Sequence, residues 1–158
     1  MQNRKLIYVI LVSLVIFGSL YVHFNYFFNP LTFRQNDVTY LSWGDYTRPI
    51  QVEYLLFDDK GCKKKSVTNE AEVQRVFDQL KKGFNYVQST DKLNEQQGGR
   101  KVDLTIRRLD DGAVVLYVEG IAGQDIVTLS HNNRRVELTE DLKRLIAERL
   151  AQAEYLAN

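Results

Sequence analysis

The pattern of apolar and polar positions divides the chain into two unlike parts. Residues 6–28, LIYVILVSLVIFGSLYVHFNYFF, form one apolar run directly behind Arg4 and Lys5. A run of 18 or more apolar residues, rising about 1.5 Å each, is long enough to cross a bilayer as a helix. Beyond it the apolar positions become periodic. Ile50, Val52, Tyr54 and Leu56 alternate with Gln51, Glu53 and Leu55, the period of a half-buried strand. Val102, Leu104 and Ile106 alternate with Asp103, Thr105 and Arg107 in the same way. Val73, Val76, Phe77 and Leu80 instead fall at helical spacing and give one stripe for a core.

These periods and the turns between them predict an order. Val38, Tyr40 and Trp43 begin a first strand, and Gly44–Pro49 turn into the strand at 50–56. Asp58-Asp59-Lys60-Gly61 is a tight turn, because aspartates hold local backbone donors and glycine accepts positive φ. Cys62–Val67 returns as a short lysine-edged strand. A helix follows over 69–82, with Thr68 or Asn69 as cap, Asn69-x-x-Glu72 resembling a capping box, and Gly83 as a left-handed stop. Residues 88–101 read as an exposed, mobile loop. Asp110-Asp111-Gly112 joins the strand at 102–107 to another at 114–119. Strands at 125–129 and 134–138 flank a turn at His131-Asn132-Asn133. Thr139 caps a last helix over 140–156, whose apolar face (Leu142, Leu145, Ile146, Leu150, Ala153) is interrupted by Arg149.

The resulting order, β-β-(β)-α-β-β-β-(β)-α, is α+β: a transmembrane helix followed by one domain with an antiparallel sheet and two helices on one sheet face. The divisions expected are a cytoplasmic N-terminus 1–5, an anchor 6–28, a connector 29–37 and an extracytoplasmic domain 38–158. Residues 31–158, about 128 of them, suffice for a single core.

Three readings of the apolar run compete. A cleaved signal needs a shorter apolar stretch and paired small residues before the cut, whereas Gly18 and Ser19 are adjacent and flanked by bulky residues. A lipoprotein signal needs a cysteine just after the run, and Cys62 lies far downstream. An uncleaved anchor fits best. Its aromatic end, Tyr21, Tyr26, Phe27 and Phe28, suits the headgroup zone, and Pro30 stops the helix. Arg4 and Lys5 precede the run while Arg34 is the first cation after it, so the N-terminus stays inside and the domain outside.

Charge narrows the partners. Of 21 Lys and Arg, two precede the run and all 20 Asp and Glu follow it, leaving the domain with 19 positive and 20 negative charges. That balance argues against nucleic acid, which needs a concentrated positive footprint. The single cysteine, Cys62, permits no internal disulfide.

Candidate chemistry is sparse. With two histidines, one beside the apolar run, no metal-ligand spacing occurs, and no glycine-rich loop has the context of a phosphate cradle, so no cofactor or metal is expected. An enzyme would have to use Cys62 or His131. Lys63, Lys64 and Lys65 beside Cys62 are of the kind that lowers a thiol pKa, although a small strand residue explains it more simply. The aspartate pairs at 58–59 and 110–111 are accounted for as turns. Trp43 and Tyr46, within an aromatic cluster with Tyr40 and Tyr54, are the candidate contact surface, with core or juxtamembrane packing as the competing role.

In plan alone (short basic start, one span, Asn-Pro boundary, compact α+β domain) the chain resembles small membrane-anchored extracytoplasmic domains of unknown function in Gram-positive bacteria. The expectation is a non-catalytic protein-binding or regulatory domain with an envelope protein as partner. The alternative is a small-ligand sensor with its pocket between sheet and helices.

Overall fold

The computed structural model describes residues 2–84 and 100–156, so the loop expected at 88–101 lies outside the described residues as far as residue 99. Three helices and seven strands follow in the order α1 (Gln2–Asn25), β1 (Ile50–Asp58), β2 (Gly61–Val67), α2 (Glu70–Phe84), β3 (Lys101–Arg108), β4 (Val114–Ile121), β5 (Ile126–Leu129), β6 (Arg134–Glu137), α3 (Glu140–Ala151) and β7 (Glu154–Tyr155). The strands form one antiparallel sheet in the order β6-β5-β4-β3-β1-β2-β7.

Alternation in β1 and β3 puts their apolar residues on one face. Val52 lies opposite Ile106, and Tyr54 opposite Leu104. With Leu116 and Val118 of β4, Leu129 of β5 and Val136 of β6, these residues meet Val73, Val76, Phe77 and Leu80 of α2 and Leu142 and Leu145 of α3 in one core. Both helices therefore cover the same sheet face, and the fold is the α+β arrangement expected from the periodicity.

The caps act as expected. The Asn69 carboxamide accepts from the Glu72 backbone N–H at 3.1 Å, and the Thr139 hydroxyl accepts from the Leu142 N–H at 3.3 Å. Glu72 does not close a capping box, however. Its carboxylate lies 2.5 Å from Arg149 Nη2 and accepts from the Tyr54 hydroxyl at 3.0 Å. The polar interruption on the α3 face is thus the tie between the two helices. Hydrogen bonds from Arg149 and Tyr54 outweigh the desolvation of burial and hold the Glu72 carboxyl below its ordinary value.

Four expectations are corrected. No strand forms over Val38–Trp43. The Asn36 side chain accepts from the N–H groups of Val38 and Thr39, both at 2.9 Å, and Asp45 accepts from Ser42 N–H at 3.0 Å, closing turns that compete with strand pairing. Trp43–Asp45 is a single 3-10 turn. Secondly, α2 runs through Gly83 to Phe84, and Gly83 is no left-handed stop. It serves close approach: a Cβ there would stand 2.0 Å from the Glu137 carbonyl oxygen. Thirdly, α3 ends at Ala151, and Glu154–Tyr155 pair with Lys64 and Lys63 at the edge of β2. The Tyr155 hydroxyl donates to Asp58 at 3.0 Å, and Lys63 lies over the Tyr155 ring, so tertiary contacts override the helical pattern. Gly61 does take the positive φ, 128°, that its turn requires.

The fourth correction concerns the exit from α1. The helix stops at Asn25, before Pro30, because the chain leaves it to join the domain. Tyr26 bridges Thr47, Phe27 N–H donates to the Tyr46 carbonyl at 2.7 Å, and Arg48 N–H donates to the Asn25 carbonyl at 2.9 Å. The Arg48 guanidinium also donates to the His23 carbonyl, a cation satisfying the end of the helix. Phe27 is buried, and Phe28 and Phe33 pack against the core, with rings of Phe27, Phe28 and Tyr46 5.3–6.0 Å from Phe77. Of the aromatic end assigned to the headgroup zone, Phe27 and Phe28 belong to the domain, while Tyr21 stays exposed. The connector at 29–37 is similarly folded onto the domain through Phe33 and Asp37, the latter 2.7 Å from Arg134.

Candidate functional site

The helix layer does not fill the sheet evenly. Between β3, β4 and the β4–β5 turn on one side and α3 on the other lies a cavity of about 400 Å³. Its apolar wall is built from Val102 and Leu104 of β3, Val118 of β4, and Leu142, Ile146 and Leu150 of α3. Small residues make the space. Gly120, Ala122, Gly123 and Ala147 stand where longer side chains would close it. Gly120 is held small by its neighbours, since a Cβ there would meet the Val127 side chain at 2.8 Å.

The polar groups gather at one rim. Lys143 Nζ lies 2.7 Å from Asp125 and 2.7 Å from Glu140. Donating to these two carboxylates keeps the ammonium above its ordinary value, so it is charged throughout the physiological range. An apolar wall with a few convergent polar groups, at this volume, has the build of a small-molecule site.

The opposite sheet face carries a second polar grouping. Glu53 is only 2% exposed although it lies on the face away from the helices. Its carboxylate is 2.5 Å from Lys64 of β2 and 2.9 Å from Arg107 of β3. Asp103, also buried, lies 3.1 Å from Lys101 and accepts from the Tyr117 hydroxyl at 2.5 Å. Burial and then this bond to a carboxylate raise the Tyr117 hydroxyl. Glu53 is thus committed to cations on both neighbouring strands, and Asp103 to Lys101 on its own strand and Tyr117 on the next. The alternation marks both carboxylates as facing away from the core and sets Lys101 beside Asp103, whereas only the pairing register brings Lys64 and Arg107 to Glu53.

The residues singled out from sequence fare differently. Tyr46 is 0% exposed, so it belongs to the core and is corrected as a contact surface. Burial drives its hydroxyl far above its ordinary value. Trp43 is half-buried and packs on Tyr26, ring centroids 4.5 Å apart, at the junction with α1. The ring thus packs within the protein at this junction.

Cys62 and His131 are not brought together. Strands β4, β3 and β1 lie between β5 and β2, so the residues are separated by at least four strand spacings, about 19 Å. The Cys62 thiol is pushed up, first by burial and then by Asp103, with Lys64 opposing; the lysine run does not activate it. His131 is exposed and stacked on Tyr40, ring centroids 3.8 Å apart, and burial of the ring lowers it despite Asp37. The aspartate pairs close turns: Asp58 accepts from Lys60 N–H at 2.9 Å, and Asp111 from Ala113 N–H at 3.0 Å. Among the described residues, no group of three or more His, Cys, Asp or Glu is placed to hold a metal ion.

No protein-family model, curated protein or solved structure matches the chain.

Proposed function

We propose that the chain is a single-pass, membrane-anchored extracytoplasmic binding domain that takes a small, largely apolar ligand between the sheet and α3. The observation that carries this reading is the cavity of about 400 Å³, apolar along its walls and charged at one rim by Lys143 and Asp125. The ligand has an apolar body for Val102, Leu104, Ile146 and Leu150, and one polar end for the Lys143–Asp125 pair. The role is recognition, not catalysis, as fits a sensor.

The anchor supports the location. Residues Lys5–Asn25 form an apolar stretch of 21 residues, about 31 Å long, against a hydrocarbon core of about 30 Å. Its most apolar window is 0% buried within the protein, a helix surface that water tolerates poorly and lipid accommodates. The bonds from Arg48 to the Asn25 and His23 carbonyls, with the Tyr26–Thr47 and Phe27–Tyr46 contacts just after the helix, tie α1 to the domain, which favours an uncleaved anchor over a removed signal. Arg4 and Lys5 put the N-terminus in the cytoplasm.

An envelope protein as partner is the second reading, and one observation favours it. Strand β7 pairs with Lys63 and Lys64, and Leu156 N–H donates to the Cys62 carbonyl at 2.9 Å. Among the described residues no strand pairs with Lys65–Val67 on that side, which leaves that stretch of the β2 edge for strand addition.

Thermal unfolding of the full chain in lipid nanodiscs, with indole and cyclohexanol as probes, tests the ligand reading. A bound probe at 100 times its Kd adds about 2.7 kcal/mol and raises Tm. Val102→Phe, which grows into the cavity, should abolish that rise. Equal stabilisation of the wild type and V102F, or none of either, retires the reading.

A further inference from the structure

The turn that follows α1 folds back beside the helix. Asn29 organises it: the side chain accepts from Leu31 N–H at 2.9 Å, and the carbonyl accepts from Thr32 N–H at 3.2 Å and Phe33 N–H at 2.9 Å. With Pro30 carrying no N–H, the backbone donors at 30–33 are all accounted for without water. No charged side chain occurs between Asn29 and Phe33. At the tip Leu31 is 88% exposed, the most exposed of the large apolar side chains among the described residues.

The turn and the helix enclose a groove of about 470 Å³ that reaches Gly18 of α1, apolar along Val22 of α1 and Phe28, Pro30 and Leu31 of the turn, with His23 and Arg48 also lining it. Gly18 lies seven residues before the end of the helix at Asn25, about 10 Å down its axis. Each interfacial zone of a bilayer is only about 5–8 Å deep, so a groove reaching this level extends into hydrocarbon. Backbone satisfied within the turn is what that depth demands.

We infer that the Asn29–Thr32 turn is a second membrane contact: Pro30 and Leu31 seat in the leaflet around the outer end of α1, and a phospholipid acyl chain fills the groove between turn and helix. The occupant follows from continuity, since one wall of the groove is the apolar helix itself. Arg48 also lines the groove, and its charge is met at the helix end: it pairs with Glu70 at 3.0 Å and donates to the His23 carbonyl. Two contacts, the helix and the turn, fix the tilt of the domain where a helix alone would let it swing.

This inference rests on α1 crossing the membrane, and the experiment separates the two. In a Cys62→Ser background, single cysteines replace Leu31, Val15 in the helix and Asn132 on the β5–β6 turn, each labelled with an environment-sensitive fluorophore. The full-length variants are placed in phosphatidylcholine nanodiscs with and without nitroxide-labelled lipid. Leu31→Cys should give blue-shifted emission and several-fold quenching, as Val15→Cys does, while Asn132→Cys is unaffected. Quenching at Val15 with none at Leu31 overturns the seated turn and leaves the anchor. Quenching at neither position overturns both.

Discussion

The two helices of the domain cover the same sheet face and do it differently. Under most of α2 the space is full: Val73, Val76 and Phe77 are 0% exposed, and Phe77 is ringed by Phe27, Phe28 and Tyr46, while Leu80 borders the cavity. Under α3 only Leu142 and Leu145 are buried, Ile146 and Leu150 are partly so, and a cavity remains. The source of the filling explains the difference. Phe27 and Phe28 from the segment that leaves α1, with Tyr46 from the turn before β1, enter the α2 half, whereas the α3 half faces Gly120, Ala122 and Gly123. The packed half ties the domain to α1, and the open half is where we propose that recognition takes place.

The largest effect expected is at the centre of the packed half. Phe77→Ala should cost about 3–5 kcal/mol in chemical denaturation, while Ile146→Ala on the cavity wall should cost about 1 kcal/mol, because the space it leaves adjoins one already present. Equal losses would erase the contrast. Gly83→Ala, which drives a Cβ against the Glu137 carbonyl where α2 meets β6, should cost about 3 kcal/mol by forcing the backbone apart. An unchanged denaturation midpoint would show that the helix end can move aside freely.

Glu72→Gln, at the tie between the halves, should cost about 2 kcal/mol at neutral pH through loss of a charge-assisted pair. The sign with pH follows from its lowered carboxyl: the stabilisation is complete above the unfolded value, near 4.5, and is lost as pH falls through the lower native value. Wild type and E72Q should therefore converge in acid, and a constant difference from pH 7 to pH 3 would contradict the pairing. The smallest effect belongs to Val102→Phe, expected within about 1 kcal/mol of wild type because the cavity accommodates the ring. A loss comparable with Phe77→Ala would mean that the space is already filled.

Much of this contrast was legible in the chain. Period-2 runs gave β1 and β3, and helical spacing gave the α2 stripe; Asn69 and Thr139 marked helix starts because their side chains satisfy free N–H groups. The rest depended on distant partners. Arg149 looks like a flaw in an apolar face until Glu72 is found 77 residues away in sequence. Gly83 looks like a stop until β6 comes within a Cβ of it. Tyr46 reads more readily as packing than as surface, but no local pattern decides it, since its burial depends on Phe28 and Phe77. The cavity had no local signature, because a void reflects side chains missing from several elements at once.

The central claim is that the open apolar space lies against α3 and meets α2 only at Leu80, leaving Val73 and Val76 fully packed. Xenon enters apolar cavities without requiring a specific contact. Methyl NMR of the full chain in nanodiscs under xenon pressure tests the claim directly. Leu142 and Ile146 should shift with pressure while Val73 and Val76 stay in place; uniform shifts, or none at Leu142 and Ile146, would contradict it.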